Sequence, residues 1–405
     1  MQESADIRRP RLLVLASTYP RRSDDPEPGF VHELSKRLTD KFDVTVLGPH
    51  APGAATKEML DGVRVVRYHY APAQLETLVN DGGIVTNLNR HRWKWLLVPG
   101  FVLMQAWCAW RIIRRWRPDV IHAHWLIPQG LVIALLGLVD RRVPPFVVTS
   151  HGADLFALQA RPLQVLKRFV LRRATHITVV SRVMRDVILQ MSVKPDKVTV
   201  EPMGVDLQTR FVPSQSNVRS ANEILFVGRL VEKKGLRLLI DAMPAIRKRH
   251  PDVRLAVAGF GPEEPACRKR VHELDLGDCV RFLGAVPQSE LPRLYQVAGV
   301  FVAPFIRTAD GDQEGLGLVM VEAAGCGCPV VAGNVPAVRD VICDEAIGTL
   351  VACGDTAALA DSVCRALAMP ATAANVLARR RGVSRFDWQH RADAYASILA
   401  VAAQN

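Results

Sequence analysis

The sequence predicts an α/β chain that carries two parallel sheets in tandem. Three observations lead there. Short runs rich in Val, Ile and Leu alternate with amphipathic stretches along nearly the whole chain. The alternation pauses once, in a polar stretch after Gly204, and then restarts with the same rhythm. Near-continuous apolar strands separated by helices belong to sheets covered on both faces, and one pause in 405 residues divides the chain into two domains of ordinary size.

In the first half, RLLVLAS (11–17), FDVTVLGPH (42–50), VRVVRYH (63–69), PDVIHAHW (118–125), PPFVVTSHG (144–152) and ATHITVVS (174–181) read as strands. Between them FVHELSKRLTD (30–40) places Phe30, Val31, Leu34 and Leu38 at helical spacing, and PLQVLKRFVLRRA (162–174) does likewise. Basic residues precede the first apolar run, but that run is short and TYPRRSDDPEPG follows it, so it reads as a strand rather than a leader peptide. LQTRFVPSQSNVRSAN (207–222) suits a linker. The second half supplies EILFVGRL, VRLAVAGFG, CVRFLGAV, GVFVAPF, CPVVAG and GTLVACG as strands, and VSRFDWQHRADAYASILAVAAQ as a closing helix. The predicted division is 1–207, a linker over 208–222, 223–384, and a helix over 385–405 that crosses back toward the first domain. Each domain is Rossmann-like, and two such domains facing each other place a ligand cleft at the carboxyl ends of their strands.

Composition narrows the function. The chain is 49% hydrophobic and 23% charged, without low-complexity blocks. Its net charge of +12 divides into +10 over residues 1–207 and +2 over 208–405, so the first half is the one that meets an anionic partner. That surplus is not laid out with stacking aromatics on a recognisable module, which argues against nucleic acid. Eight scattered cysteines fit small buried residues in a reducing compartment; only Cys326 and Cys328 are close, at neither zinc-ribbon nor redox spacing. LLVPGFVLMQAWCAW (96–110) contains Pro99, Gly100 and Gln105 and reads as too short to span a bilayer.

The chemistry concentrates in the second half. In FVGRLVEKKG a strand ends at Gly228, with Arg229 and Lys234 at its mouth and Gly235 opening the next helix. Two cations beside a helix start make a diphosphate site. AVAGFGPEE lacks the third glycine of the dinucleotide fingerprint, which disfavours a nicotinamide or flavin. In EGLGLVMVEAAGCGCP, Glu314 and Glu322 stand with seven residues between them. Gly315 and Gly317 allow a tight loop into a helix near 316–324, whose Leu316, Gly317 and Leu318 amides face a phosphate. The two glutamates cannot share one helical face; they suit the two hydroxyl-bearing ends of a sugar nucleotide. His122 and His124 share a strand face, one packed and the other lining the cleft, with no further metal ligand in view. DGD (310–312) reads as a loop, so the metal assignment is none.

These motifs together, from PDVIHAH, SHG, MGVD, GRLVEKKG, AGFGPE, FLGAV and APF to the glutamate pair and the final FDW, resemble the retaining glycosyltransferases of family 4, with two facing Rossmann-like domains in the GT-B fold. The resemblance covers nearly the whole chain. It implies that Arg229 and Lys234 neutralise the donor diphosphate, that Glu314 contacts the transferred sugar, and that Gly228, Gly315, Leu316, Gly317 and Leu318 line the sugar and phosphates. Glu322 would hold the ribose hydroxyls, and the backbone around Gly284 and Val286 would read the base. His151 would lie near the sugar from the first, acceptor-binding domain, with Gly29 on the acceptor side. Asp154, after SHG, is assigned to the acceptor side, where its carboxylate accepts a bond from a sugar or from a loop amide. It further implies no cofactor beyond the donor substrate, a UDP- or GDP-sugar, and a glycan or lipid-linked acceptor. Met203 replaces the Asn common before GVD, Leu316 replaces a common aromatic, and the first loop has a single glycine.

Five of the seven tryptophans fall within 93–116 among arginines and a lysine. That mixture suits a membrane interface; the competing assignment packs the helix on the first sheet with its arginines at the C-terminal end. The expectation is a cytoplasmic hexosyltransferase, peripheral at the inner face of the cytoplasmic membrane, in a bacterial surface-polysaccharide pathway. The rival expectations are a soluble transferase using a sugar phosphate or another small-molecule acceptor, an epimerase of similar fold, and a basic nucleic-acid-binding protein.

Overall fold

The computed structural model describes residues 8–22, 25, 29–79, 83–157, 159–214 and 219–404. The chain forms two compact units. One comprises Met1–Val179, Val187–Glu201 and Ala392–Asn405; the other comprises Val180–Asp186 and Pro202–Arg391. The expected boundary after 207 therefore shifts: Pro202–Leu207 belongs with the second unit, as does Val180–Asp186. Residues 215–218 of the expected linker, and parts of the first loop and N-terminus, lie outside the described residues. The helix Trp388–Ala403 begins in the second unit and continues in the first, the crossing back that the sequence predicts.

The first unit holds an eight-stranded sheet: β1 (Arg11–Leu15), β2 (Asp43–Pro49), β3 (Lys57–Leu60), β4 (Val63–Tyr68), β5 (Val120–His124), β6 (Phe146–Ser150), β7 (His176–Val179) and β8 (Val198–Val200). Its order is β3-β4-β2-β1-β5-β6-β7-β8. All pairings are parallel except β3 with β4. The central strands β5 and β6 are buried along their whole length, as strands covered on both faces must be. The sequence reading missed β3 and β8, which are short edge strands.

The second unit holds β9 (Glu223–Val227), β10 (Arg254–Ala258), β11 (Val280–Gly284), β12 (Val300–Ala303), β13 (Val330–Gly333) and β14 (Gly348–Val351). They form an all-parallel sheet of order β11-β10-β9-β12-β13-β14. Its core is built by Ile224, Phe226, Leu255, Val257 and Val302 from the strands and by Leu239, Ile240 and Met243 from the helix Leu236–Arg249.

The tryptophan-rich segment forms a 20-residue helix, Leu97–Trp116, longer than its apolar run implies. Pro99 sits in the first turn, where a missing N–H costs no helical bond. Leu97, Phe101, Gln105, Ala109 and Ile113 form a buried i,i+4 stripe, which packs on β2, β4 and the helix Leu131–Val139. With the turn before it, Arg92–Trp116 is long and apolar enough to cross a membrane by length and composition, and only 28% of its most apolar window is buried.

Candidate active site

The carboxyl edge of the second sheet is lined with glycine. Gly228 N–H donates to Ala258 O at 3.0 Å, and Gly259 N–H donates to Gly284 O at 2.8 Å. A Cβ on Gly259, at φ +141°, would stand 1.9 Å from Gly228 O, so only glycine lets these strand ends approach. Gly228, Gly284 and Val286 are half-buried. Bare main chain thus faces outward where open parallel sheets take their ligands.

From Gly228 the chain passes Arg229 and enters the 3-10 turn Glu232–Lys234. Lys234 lies over the Phe305 ring, 4.7 Å from its centroid. Its Nζ is 2.7 Å from Glu314 Oε2, with both side chains largely buried. Burial pushes the Glu314 carboxyl up, but Lys234, Lys233 and Arg229 more than reverse this and hold it below the ordinary carboxylate range. Lys233 donates to Asp312 Oδ1 at 3.0 Å and to Gln313 O at 3.4 Å, which pins the loop that carries Glu314.

The helix after this loop is Leu318–Gly325, opened by Gly317 at φ +90°. It starts two residues later than expected, because Gly317 occupies the left-handed region that a regular helix excludes. Gly315, Leu316 and Gly317 are therefore loop residues, all buried, and Leu318 begins the helix. The Leu318 and Val319 amides have no acceptor within the helix. Glu322 lies one turn further on. Tyr295 Oη donates to Glu322 Oε2 at 2.8 Å. Burial raises the Glu322 carboxyl to about 7, against weaker downward pulls from the Tyr295 bond, Arg210 and Lys234. The Tyr295 phenol is itself raised well above its ordinary value by burial. The second unit therefore assembles Arg229, Lys234, Glu314 and Glu322 around the helix start, together with Tyr295 and Arg210, which the sequence reading missed.

In the first unit His151 follows β6. Its Nε2 lies 3.0 Å from His124 Nδ1, and the two rings stack at a centroid distance of 5.2 Å. Phe30, the residue after Gly29, reaches the His151 ring at 4.8 Å, and Gly29 caps the helix Phe30–Leu38. Burial, with a smaller contribution from His122, lowers the His151 imidazole to about 3; the ring is neutral at physiological pH. His122 and His124 are both fully buried, so neither lines a surface as the sequence reading expected of one of them. His122 Nε2 lies 2.7 Å from Thr149 Oγ1. Of the two partners open to Asp154, the structure shows the backbone amide: its carboxylate accepts from Leu126 N–H and Ser150 Oγ, each at 2.8 Å, and it is 3% exposed, a buried brace.

Comparison with known proteins matches this geometry to one family. A model described as Glycosyltransferase Family 4 matches residues 30–209, and one described as Glycosyl transferases group 1 matches residues 209–381. A GDP-mannose-dependent alpha-(1-6)-phosphatidylinositol monomannoside mannosyltransferase of Mycolicibacterium smegmatis is 31% identical over 66% of this chain and 74% of its own. A glycogen synthase of Mycobacterium tuberculosis is 28% identical over 97% of this chain and 95% of its own. Among solved structures, a sucrose-phosphate synthase from Thermosynechococcus elongatus superposes with a TM-score of 0.79 over 97% of this chain and 100% of its own, at 23% identity. Anabaena HepE in complex with UDP and glucose gives 0.72 over 96% and 99%, at 19% identity. The two family models divide the chain at the same place as its two sheets, and the chain belongs to the family 4 glycosyltransferases, with their GT-B fold.

Proposed function

We propose that the protein is a retaining hexosyltransferase that moves a sugar from a UDP- or GDP-sugar to a glycan or lipid-linked acceptor in bacterial surface-polysaccharide synthesis. The observation that carries this reading is the Lys234–Glu314 pair, with Arg229 in its field and Glu322 on the following helix. A donor diphosphate beside Lys234 and Arg229 meets two fixed cations, which stabilise the charge that develops as the anomeric C–O bond breaks. These cations fill the role that a metal ion would take at the donor phosphates. Glu314 is tied to Lys234 and so suits sugar-hydroxyl recognition better than covalent attack. The acceptor oxygen then bonds to the anomeric carbon on the face the phosphate leaves, and its proton passes to the departing phosphate oxygen. His151, neutral, serves as a hydrogen-bond partner for the sugar rather than as a cation. The relatives named as a glycogen synthase and a phosphatidylinositol monomannoside mannosyltransferase support a glycan or lipid-linked acceptor.

A peripheral contact with the cytoplasmic membrane face belongs to the same proposal. Trp93, Trp95 and Leu96 in the turn before the helix and Leu103 and Trp107 on it are exposed, as are Arg111, Arg114 and Arg115 on the helix. Apolar and aromatic side chains mixed with arginine suit an anionic lipid surface. Leu103→Glu with Trp107→Glu is expected to abolish co-sedimentation with anionic vesicles; unchanged pelleting would remove the membrane from the proposal. For the reaction, the test is transfer from radiolabelled UDP- and GDP-hexoses to bacterial lipid and glycan extracts, with the product's anomeric configuration read by NMR. Retention is expected. Inversion would overturn the mechanism.

A further inference from the structure

Three side chains that no part of the transferase reading uses converge at the carboxyl ends of β2 and β4. His50 follows β2, His69 follows β4, and Glu76 ends the 3-10 turn Ala73–Leu75. One ligand atom from each lies within 4.8 Å of the others. Glu76 is fully buried. Its carboxylate meets His50 Nδ1, lies 3.1 Å and 3.2 Å from His69 Nδ1, and accepts from Tyr70 N–H at 3.0 Å. The two imidazole rings lie 4.0 Å apart.

The other nitrogen of His50 is the informative one. His50 Nε2 lies 3.0 Å from Ala54 O. A carbonyl only accepts, so Nε2 carries a proton and donates. In a neutral His50 the Nδ1 lone pair then points at a carboxylate oxygen, and two acceptors face each other. Either a second proton or a cation must lie between them. A metal-bound histidine usually donates its other ring N–H to a backbone carbonyl or carboxylate, as His50 Nε2 does to Ala54 O. Tetrahedral zinc with bonds of about 2.0–2.1 Å places its ligands about 3.3 Å apart, close to the His69–Glu76 separations.

We propose that His50 Nδ1, His69 Nδ1 and Glu76 bind one zinc-class divalent cation. Two imidazoles and one carboxylate form the borderline-soft ligand set that zinc prefers over calcium or magnesium. His69 is exposed, so the cation has a solvent-side entry and a fourth position for water or an oxygen anion. Bound there, it ties the 69–76 segment to the ends of β2 and β4. The donor cluster lies in the other unit and has no part in this site.

The test uses the full chain, with the exposed thiols removed by Cys343→Ser and Cys353→Ser, stripped with chelator and titrated with Co2+ and Zn2+. About one equivalent of Co2+ is expected, with a visible ligand-field band of tetrahedral type. Zn2+ is expected to raise Tm, because it binds the native state. His69→Ala removes an exposed ligand and leaves the fold intact; it should weaken Co2+ binding at least about 10-fold and abolish the Zn2+ stabilisation. Glu76→Gln should do the same, and if that variant does not fold, His69→Ala decides alone. No saturable binding in the parent, or equal binding in His69→Ala, would overturn the site and leave a protonated His50 paired with Glu76.

Discussion

Lys234 and Glu314 meet at 2.7 Å in the second unit, and His124 and His151 meet at 3.0 Å in the first; the two contacts answer burial in opposite ways. Around Glu314 two lysines and an arginine outweigh desolvation, and the carboxylate stays charged. Around His151, among the described residues, desolvation dominates with a smaller contribution from His122, and burial strips the ring of its proton. A group leaves water either by acquiring a counter-charge or by losing its own. A diphosphate needs the first kind of surface and a sugar hydroxyl suits the second. Glu322 lies between the two cases: it is half-buried beside a phenol, with Arg210 and Lys234 too weak to keep it low.

Four substitutions break or sharpen this contrast, and the largest effect belongs to the charged side. Lys234→Met should lower kcat by about 10²–10³-fold, the loss typical when a preorganised charge at a leaving group is removed; a steady-state transferase assay on folded variant checks it. Glu322→Gln comes next. If Glu322 holds the ribose hydroxyls as proposed, replacing its carboxyl should weaken nucleotide binding by about 10-fold or more, as read by calorimetry.

The same variant carries a pH signature. The Glu322 carboxyl is about 7 folded against 4.5 unfolded. Between those values the native state holds a proton that the unfolded state has lost. Its contribution to stability is therefore complete below about pH 4.5 and is lost as pH rises through about 7. Wild-type Tm should fall relative to Glu322→Gln across that window and stay parallel above it. Parallel melting curves throughout would show that Glu322 is not raised.

On the uncharged side, His151→Ala should reduce kcat/KM by about 10-fold through lost positioning. The wild-type rate profile between pH 5 and 8 should show no inflection from this residue, since its imidazole lies near 3. Gly284→Ala should have the smallest effect. Its Cβ meets nothing within 4 Å, and only the φ of +69° is strained, so the cost to stability is about 1–2 kcal/mol, measured by denaturant melting.

The sequence disclosed the features written in neighbouring residues. Among the described residues, twelve of the fourteen strands are legible as apolar runs. β3, with the sequence KEML, is a four-residue antiparallel edge strand with only Leu60 buried, and β8 is three residues long. Gly317 marks a turn, but only its backbone angle shows that the helix waits until Leu318. Contacts across long separations left no local trace: Tyr295 reaches Glu322 from another helix, and His50, His69 and Glu76 converge from three segments. Asp154 shows the opposite limit. Its place after SHG leaves a sugar and a loop amide equally open as partners, and only the fold shows its carboxylate accepting from Leu126 N–H and Ser150 Oγ.

The most direct test of the central claim, that the charged cluster of the second unit is a sugar-nucleotide site, is calorimetric titration of UDP- and GDP-hexoses into wild type, Lys234→Met and Glu322→Gln. The account predicts saturable binding of at least one donor to wild type, weakened about 10-fold or more in both variants. Donor binding of equal strength in all three proteins would contradict it.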